Sequence, residues 1–415
     1  MLSRQYRVRF YAFCIWFLGA LFFFSEYVLR VSPEVMYPAL MDKYAASAAA
    51  MGALSSFFYY PYILMQLPVG VITDKFGPRK VMVMSMLLTG VACILFAFAP
   101  SISWAAFARA IIGFCAAFAF VGTLRIAISW FSLKQFSLLV GLTQGAGMLG
   151  AACGSAPLRL YLSYTGIEGA MLSFAGFFAL LACLMFFLLR RSLATPAQFI
   201  NKNLNIYASV KAIIHNKALW INGLYIGCLY GPTVILAESW GVSFTEAFRG
   251  LSVDKAALLV SLIFIGLLIG CPLTGLLASV VSYRCLMRIS AIGCLVFSLL
   301  IIYQPGISFI LLTMCYFCYG LFNSGIIASY SKSVTLVKTE ISGIALALTN
   351  MASILIGAVM VQIVGTLLSS GDKHVMAIYD VARYHQIFTL IPIAFILCIL
   401  LTLLMRKDAL KQMIC

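Results

Sequence analysis

Long apolar segments recur along the whole chain, and they constrain its fold more than any other feature. A helix that crosses the hydrocarbon core of a bilayer, about 30 Å thick, needs roughly 20 residues. Twelve segments have about this length, and short polar or charged stretches separate them. We therefore predict an all-α membrane protein with twelve transmembrane helices. The predicted spans are residues 10–32, 50–72, 82–99, 104–129, 138–161, 168–189, 217–237, 255–279, 285–303, 307–331, 341–367 and 386–405.

The composition excludes an ordinary water-soluble enzyme. Of the 415 residues, 63% are hydrophobic and 10% are charged, whereas soluble domains are about half apolar and a quarter charged. The net charge of +16 could indicate a nucleic-acid partner. In a membrane protein it is explained by basic cytoplasmic loops, so we expect a lipid bilayer as the environment and no nucleic acid as a partner.

One long polar interruption divides the predicted spans into six and six. It lies between Arg190 and Lys217 and contains several asparagines and a Thr-Pro pair. We therefore predict an N-terminal six-helix bundle at residues 1–189, a cytoplasmic linker at 190–216 and a C-terminal six-helix bundle at 217–415.

The basic residues predict the orientation in the membrane. With the N-terminus inside, nineteen Lys and Arg residues fall on the cytoplasmic side and six on the other. Cytoplasmic loops carry the excess of Lys and Arg, so we expect both termini in the cytoplasm. The expected location is the inner membrane of a bacterium.

The loop after the second predicted span contains a turn motif with charged residues. It has Gly70, Asp74, Gly77, Arg79 and Lys80 in the order GxxxDxxGxRK. This motif resembles the loop 2–3 motif of the major facilitator superfamily. The resemblance implies the twelve-helix transporter fold of that family. It also implies a gating role for Gly70, Asp74, Gly77 and Arg79, in which Asp74 pairs across the ends of neighbouring helices.

A degenerate copy of the motif follows the eighth predicted span. Gly275 and Arg284 are kept, while Ser279 stands at the position of Asp74. Two copies in equivalent places indicate a duplicated six-helix unit, and hence two pseudo-symmetric bundles.

Four ionisable residues can be placed only inside a span: Glu26 and Arg30 in the first, Arg109 and Arg125 in the fourth. Such residues are costly in a bilayer unless they face a cavity or a partner. Three arginines against one carboxylate favour an anionic substrate, because the guanidinium group offers paired donors to carboxylate or phosphate oxygens. Arg109 and Arg125 are sixteen residues apart, about 160° around a helix, so they cannot face one cavity.

Tyr27 and Arg30 form a YxxR element that resembles the first span of the organophosphate and organic-anion branches of the superfamily. The resemblance implies that Arg30 and Tyr27 contact the substrate. The second arginine of the organophosphate antiporters, in span seven, is missing here. Arg109 and Gly113 resemble the RxxxG element of the family, which implies a gating or helix-pairing role for Arg109.

The residues alone leave alternatives open for the charged positions. Arg30 either binds substrate or forms a structural salt bridge with Glu26, four residues earlier on the same helical face. Glu26 is accordingly either the proton acceptor or one half of a fixed ion pair. Arg125 either lines an inner vestibule, and so contacts substrate, or extends to the lipid headgroups.

Uncharged polar side chains inside the spans are further candidates for the substrate site. Each is costly against lipid, so it either lines a cavity or forms a hydrogen bond between helices. These candidates are Tyr59, Tyr60, Gln144, Tyr230, Asn323 and Asn350.

No nucleotide-binding motif occurs. Cys315 and Cys318 are three residues apart, but they lie in an apolar span without His or acidic neighbours, and the three histidines fall in loops or at the ends of spans. We expect no enzyme activity, no cofactor and no metal. The predicted function is secondary active transport of a small organic anion, such as a carboxylate metabolite or chelate, by alternating access with protons, in a monomer. The alternatives are a facilitator of small peptides or amino acids, an exporter of metabolites or drugs, and a membrane receptor that transports nothing.

The topology is testable at Lys202, which the charge distribution assigns to the cytoplasm. We expect Lys202→Cys, in an otherwise cysteine-free chain, to resist an impermeant thiol reagent in intact cells and to react after permeabilisation. Efficient labelling in intact cells would contradict the predicted number of spans.

Overall fold

The computed structural model describes residues 2–46, 48–154, 156–190, 206–369 and 381–405, and within these ranges it contains helices and no strand. Residues 191–205 of the predicted linker, and with them Lys202, lie outside the described residues, as does the C-terminal segment from residue 406.

Seven α-helices lie before the seventh predicted span, which begins at residue 217. They are α1 (Leu2–Tyr44), α2 (Ala48–Phe76), α3 (Pro78–Ala97), α4 (Ile102–Trp130), α5 (Leu133–Cys153), α6 (Ala156–Arg190) and the short α7 (Ile206–Ile214).

The remaining helices begin at Lys217. They are α8 (Lys217–Thr233), which continues as a π-helix (Val234–Ser239), α9 (Gly241–Arg249), α10 (Val253–Leu277), α11 (Tyr283–Tyr303), α12 (Phe309–Asn323), α13 (Ile326–Thr335), a 3₁₀ turn (Thr339–Ile341), α14 (Ser342–Ser369), α15 (Val381–Phe388) and α16 (Leu390–Leu404).

Eleven helical segments of the described residues are long and apolar enough to cross a membrane. They correspond to every predicted span except the second. At that position α2 has 29 residues, but its tyrosines, its two prolines and Gln66 lower its hydropathy. The predicted all-helical membrane architecture is confirmed.

The predicted boundary between the fifth and sixth spans coincides with a break in α6. The predicted spans leave residues 162–167 between them, and Gly166 there has non-helical backbone angles, a φ of 66° and a ψ of 177°. Two helical pieces of α6 meet at this kink, and glycine tolerates the positive φ. A further interruption, which was not predicted, lies earlier, where α5 ends at Cys153 and α6 begins at Ala156.

The chain forms two compact units, and each contains one segment from the other half of the sequence. The first comprises Met1–Ser132, Leu142–Ala212 and Val337–Ala347; the second comprises Leu133–Gly141, Ile213–Leu336 and Leu348–Cys415. In the first unit α4 packs against α1, α2 and α3, and α6 packs against α1 and α3. In the second, α12 packs against α10 and α11, and α16 packs against α8 and α11.

The predicted turn between α2 and α3 is present. Gly77 has a φ of 80°, and Pro78 occupies the first turn of α3. Proline is favoured there because the first helical N–H groups have no partner within the helix. The backbone N–H of Gly77 donates to the carbonyl of Thr73 at 3.0 Å, so the turn ends α2 within a few residues of Asp74.

Candidate functional site

The first unit contains a buried ion pair between Asp74, near the end of α2, and Arg125 of α4. Nε of Arg125 lies 2.7 Å from Oδ1 of Asp74, and the two side chains are 1% and 0% exposed. A buried charge is tolerated only when a partner compensates it. Vestibule lining and extension to the headgroups were the two predictions for Arg125, and neither included this carboxylate.

The same carboxylate also accepts hydrogen bonds from the beginning of α14. The backbone N–H of Gly343 lies 3.3 Å from Oδ1, and that of Ile344 lies 3.0 Å from Oδ2. Helix N-termini carry unpaired N–H groups and a partial positive charge, so an anion is stabilised there. Asp74 thus joins α2, α4 and α14.

Gly70 allows this contact to form. A Cβ atom at this position would lie 2.6 Å from Cα of Ile344 and 2.7 Å from the carbonyl oxygen of Gly343. Any side chain here would push α2 away from α14. The predicted importance of Gly70 therefore has a steric reason in the structure.

Arg79, another residue of the loop motif, lies apart from the Asp74–Arg125 ion pair. Its Nη2 donates to the carbonyl of Phe186 at 3.2 Å, and its guanidinium carbon lies 5.0 Å from the centre of the Phe186 ring. Arg79 therefore connects the beginning of α3 to the end of α6.

Arg30 lies among aromatic rings. Its guanidinium carbon is 4.3 Å from the ring centre of Tyr27, 4.6 Å from that of Tyr62 and 5.3 Å from that of Phe58. The faces of aromatic rings are negative and attract cations. Of the side chains that the structure describes, no carboxylate forms an ion pair with Arg30.

Glu26 is directed to a different helix. Its side chain is buried, and Oε1 accepts a hydrogen bond from the hydroxyl of Thr89 in α3 at 3.0 Å. Oε2 is buried without a hydrogen-bond partner. The alternative of a Glu26–Arg30 salt bridge is therefore wrong for this structure, although the two residues are only one helical turn apart.

Arg109 contacts the backbone of α1. Its Nη1 donates to the carbonyl of Leu29 at 2.6 Å and its Nη2 to the carbonyl of Arg30 at 3.4 Å. Its guanidinium carbon lies 4.9 Å from the centre of the Phe58 ring. Arg109 and Arg125 thus contact different groups, as their spacing along α4 predicts.

Glu26, Tyr27, Arg30 and Arg109 accordingly form one cluster around Phe58 and Thr89, which we call the arginine–aromatic cluster. It unites residues of α1, α2, α3 and α4 in the first unit. Tyr59 and Tyr60 follow Phe58 on α2 and are 41% and 59% exposed. Gln144, on α5, is buried.

The predicted lining residues of the second unit form hydrogen bonds there. Nδ2 of Asn323 donates to the carbonyl of Leu229 at 2.8 Å, and Oδ1 of Asn350 accepts from the hydroxyl of Tyr330 at 2.8 Å. The hydroxyl of Tyr230 donates to Glu238 at 2.8 Å. For these residues the sequence left two alternatives open, lining a cavity or forming hydrogen bonds within the protein. These hydrogen bonds are of the second kind.

Lys332 is buried, although it lies outside the predicted spans. The predicted tenth span ends at residue 331, which places Lys332 in the cytoplasmic loop, but α13 continues to Thr335 and Lys332 is 3% exposed. Asp74 is likewise buried. The helical bundles therefore enclose more charge than the four residues that the spans predicted.

Two contacts were not predictable from the sequence: the ion pair of Asp74 with Arg125, and the hydrogen bond of Thr89 to Glu26. Nothing in the spacing of Asp74 and Arg125 indicates their pairing, since 50 residues separate them. Thr89 is one of several hydroxyl residues in apolar helices and carries no signal of its own.

Among the described residues, no group of three or more His, Cys, Asp or Glu side chains could hold a metal ion.

Comparison with known proteins gives a family and several relatives. The family model described as Major Facilitator Superfamily matches residues 15–361. The chain is similar to a probable sulfoacetate transporter of Cupriavidus necator, at 32% identity over 132 residues, which cover 32% of this chain and 31% of that protein. This match therefore spans about a third of the relative's length.

A second relative matches over a longer stretch. It is a probable hexose phosphate transport protein of Chlamydia trachomatis, 24% identical over 314 residues, which cover 68% of this chain and 67% of that protein. Among solved structures, the transporter FucP in the outward conformation has a TM-score of 0.75 and 12% identity, covering 96% of this chain and 100% of that one. This last likeness establishes the fold.

Removing the Asp74 carboxylate is expected to destabilise the protein. Asp74→Asn leaves the buried Arg125 guanidinium without its counter-charge, which costs about 3 kcal/mol or more in buried pairs. We expect a lower melting temperature in detergent, and partial recovery in the double variant with Arg125→Gln, where neither charge remains.

The matched control is Asp254→Asn, which changes an exposed carboxylate in the first turn of α10. An unchanged melting temperature in Asp74→Asn, at normal expression, would contradict the importance of this ion pair for the folded state.

Proposed function

Because the chain belongs to the major facilitator superfamily, we propose that this transporter carries a small organic anion across the membrane, coupled to protons. The proposal rests on the groups that surround the Arg30 side chain. Its guanidinium group lies between aromatic rings, and no described carboxylate forms an ion pair with it. A fixed positive charge of this kind, inside a helical bundle, favours an anion from solution.

The surrounding charges support an anion as well. Asp74 is engaged with Arg125, which leaves Arg30 and Arg109 near the single carboxylate Glu26. A carboxylate, sulfonate or phosphate group accepts two parallel N–H bonds from one arginine. The relatives that are named as sulfoacetate and hexose phosphate transporters also handle small anions. We therefore infer a compact substrate with at least one such group.

Glu26 is proposed as the proton carrier. One of its oxygens is held by Thr89, and the other is buried without a partner. When Arg30 binds an anion, less positive charge remains to stabilise an ionised Glu26 nearby. Protonation then becomes more favourable, so that substrate loading and proton loading occur together.

Asp74 is proposed as the gate. Its bonds to the N–H groups of Gly343 and Ile344 hold the end of α2 to the beginning of α14, and we infer that they stabilise the outward-facing state. Ser279 stands at the equivalent position of the second copy, just after α10, and its hydroxyl donates to the carbonyl of Leu276 in the last turn of that helix at 2.7 Å. We therefore propose the gating role for the Asp74 carboxylate of the first copy of the motif.

The anion proposal is tested by binding to the purified protein. We expect sulfoacetate or glucose 6-phosphate to raise the melting temperature, because a ligand of the folded state stabilises it. Arg30→Gln should weaken this binding about tenfold or more, the loss typical of a hydrogen bond to a charged group. Arg159→Gln, an exposed arginine on α6, is the control and should bind normally.

Stabilisation by a zwitterionic dipeptide, with none by either anion, would contradict the proposal. That result would favour the alternative in which Glu26 and Arg30 recognise an amine and a carboxylate together.

The proton proposal is tested by Glu26→Gln, which removes the titrating group but keeps its shape. In proteoliposomes we expect exchange of substrate across the membrane to persist, while accumulation driven by a pH gradient is lost. Glu168→Gln is the control, since Glu168 pairs with Lys43 and its side chain is 59% exposed. If Glu26→Gln still accumulates substrate with the normal pH response, Glu26 is a structural residue.

A further inference from the structure

Pro33 interrupts the hydrogen bonding of α1 one turn after Leu29. In an α-helix the N–H group of each residue donates to the carbonyl four residues earlier. Pro33 lies inside α1 (Leu2–Tyr44) and is buried, and proline has no N–H group. The carbonyl of Leu29 therefore lacks its donor within the helix, at a point that the apolar span Phe10–Pro33 includes.

Side chains supply the missing donors. Nη1 of Arg109, on α4, donates to the Leu29 carbonyl at 2.6 Å, and the hydroxyl of Ser32 donates to the same oxygen at 2.9 Å. Arg109 is 2% exposed. Within a membrane an unpaired carbonyl costs several kcal/mol, so broken helices are tolerated only where neighbouring groups satisfy them. Arg109 is such a neighbouring group, and a charged donor is a strong one.

The same guanidinium also holds the residue that we assign to substrate binding. Nη2 of Arg109 lies 3.4 Å from the carbonyl of Arg30. The two arginines share the Phe58 ring, at 4.9 Å for Arg109 and 5.3 Å for Arg30. One side chain of α4 thus contacts two successive carbonyls of α1 at the turn from which the Arg30 side chain extends.

We propose that Arg109 is a positioning residue: it replaces the hydrogen bond that Pro33 removes, and it thereby fixes the turn of α1 that presents Arg30 to the anion. This inference rests on the proposed function of Arg30. It differs from a gating role for Arg109 and from direct contact between Arg109 and the substrate, because the partner of its two terminal nitrogens is the backbone of α1.

A double-mutant cycle with Pro33 tests the proposal. Pro33→Ala restores an N–H group that can donate to the Leu29 carbonyl, so Arg109 should then matter less. We expect Arg109→Met alone to weaken the binding of sulfoacetate or glucose 6-phosphate about tenfold. In the Pro33→Ala background the same change should weaken it no more than about threefold. Pro33→Ala alone is the reference, and Arg159→Met on α6 is the control.

The outcome of the binding cycle separates the two roles. If Arg109 contacts the anion itself, Arg109→Met will lower affinity equally in both backgrounds, and the proposal is overturned. Under the proposal, the backbone N–H that Pro33→Ala provides rescues binding although no positive charge has been restored at position 109.

Melting temperatures measured without ligand provide the second readout. Arg109→Met should lower the melting temperature more in the wild-type chain than in the Pro33→Ala chain, and a single variant that fails to fold should fold in the double variant. Equal losses in both backgrounds, or no folding in either, would overturn the link between Pro33 and Arg109. If neither anion stabilises the wild-type protein, the proposed function fails. The melting temperatures of the Pro33 and Arg109 variants, measured without ligand, then still show whether Arg109 replaces the hydrogen bond that Pro33 removes.

Discussion

A polar or charged group inside the hydrocarbon core must find its partner within the protein, and the first unit is organised by this requirement. Three arginines inside its helices meet it in three ways. Arg125 pairs with a carboxylate, Arg109 donates to backbone carbonyls, and Arg30 lies against aromatic rings. The different partners therefore imply different roles for residues of one type.

The two copies of the loop motif are no longer equivalent. Asp74 connects α2 to α4 and to the first N–H groups of α14, whereas Ser279 bonds to the last turn of α10. A carboxylate at a helix N-terminus is stabilising, and a serine that bonds to the preceding helix supplies no such charge. The two motif loops therefore differ in this charged contact.

Much of the framework was predictable because it depends on local properties of the chain. Apolar length predicted twelve spans, and eleven of them correspond to described segments that are long and apolar enough to cross a membrane. The loop motif around Gly77 predicted the turn that starts α3. The polar stretch at residues 162–167 predicted a break between helices, and Gly166 interrupts α6 there. The earlier end of α5 at Cys153 was not predictable, because no charged stretch marks it. Lys332 was misplaced because the predicted tenth span ended at residue 331, whereas α13 continues past it and encloses it.

By itself the sequence determined the helical membrane class, the turn motif and the presence of arginines where charge is costly, because length, hydropathy and residue chemistry are local. It also carried the interruption at Pro33, since a proline lacks its N–H group in any context. The tertiary structure decided which partner each charge has. Glu26 and Arg30 are close along the helix yet contact different helices, while Asp74 and Arg125 meet although far apart in sequence. Pairing across helices depends on how they pack, and no local pattern along one helix encodes that.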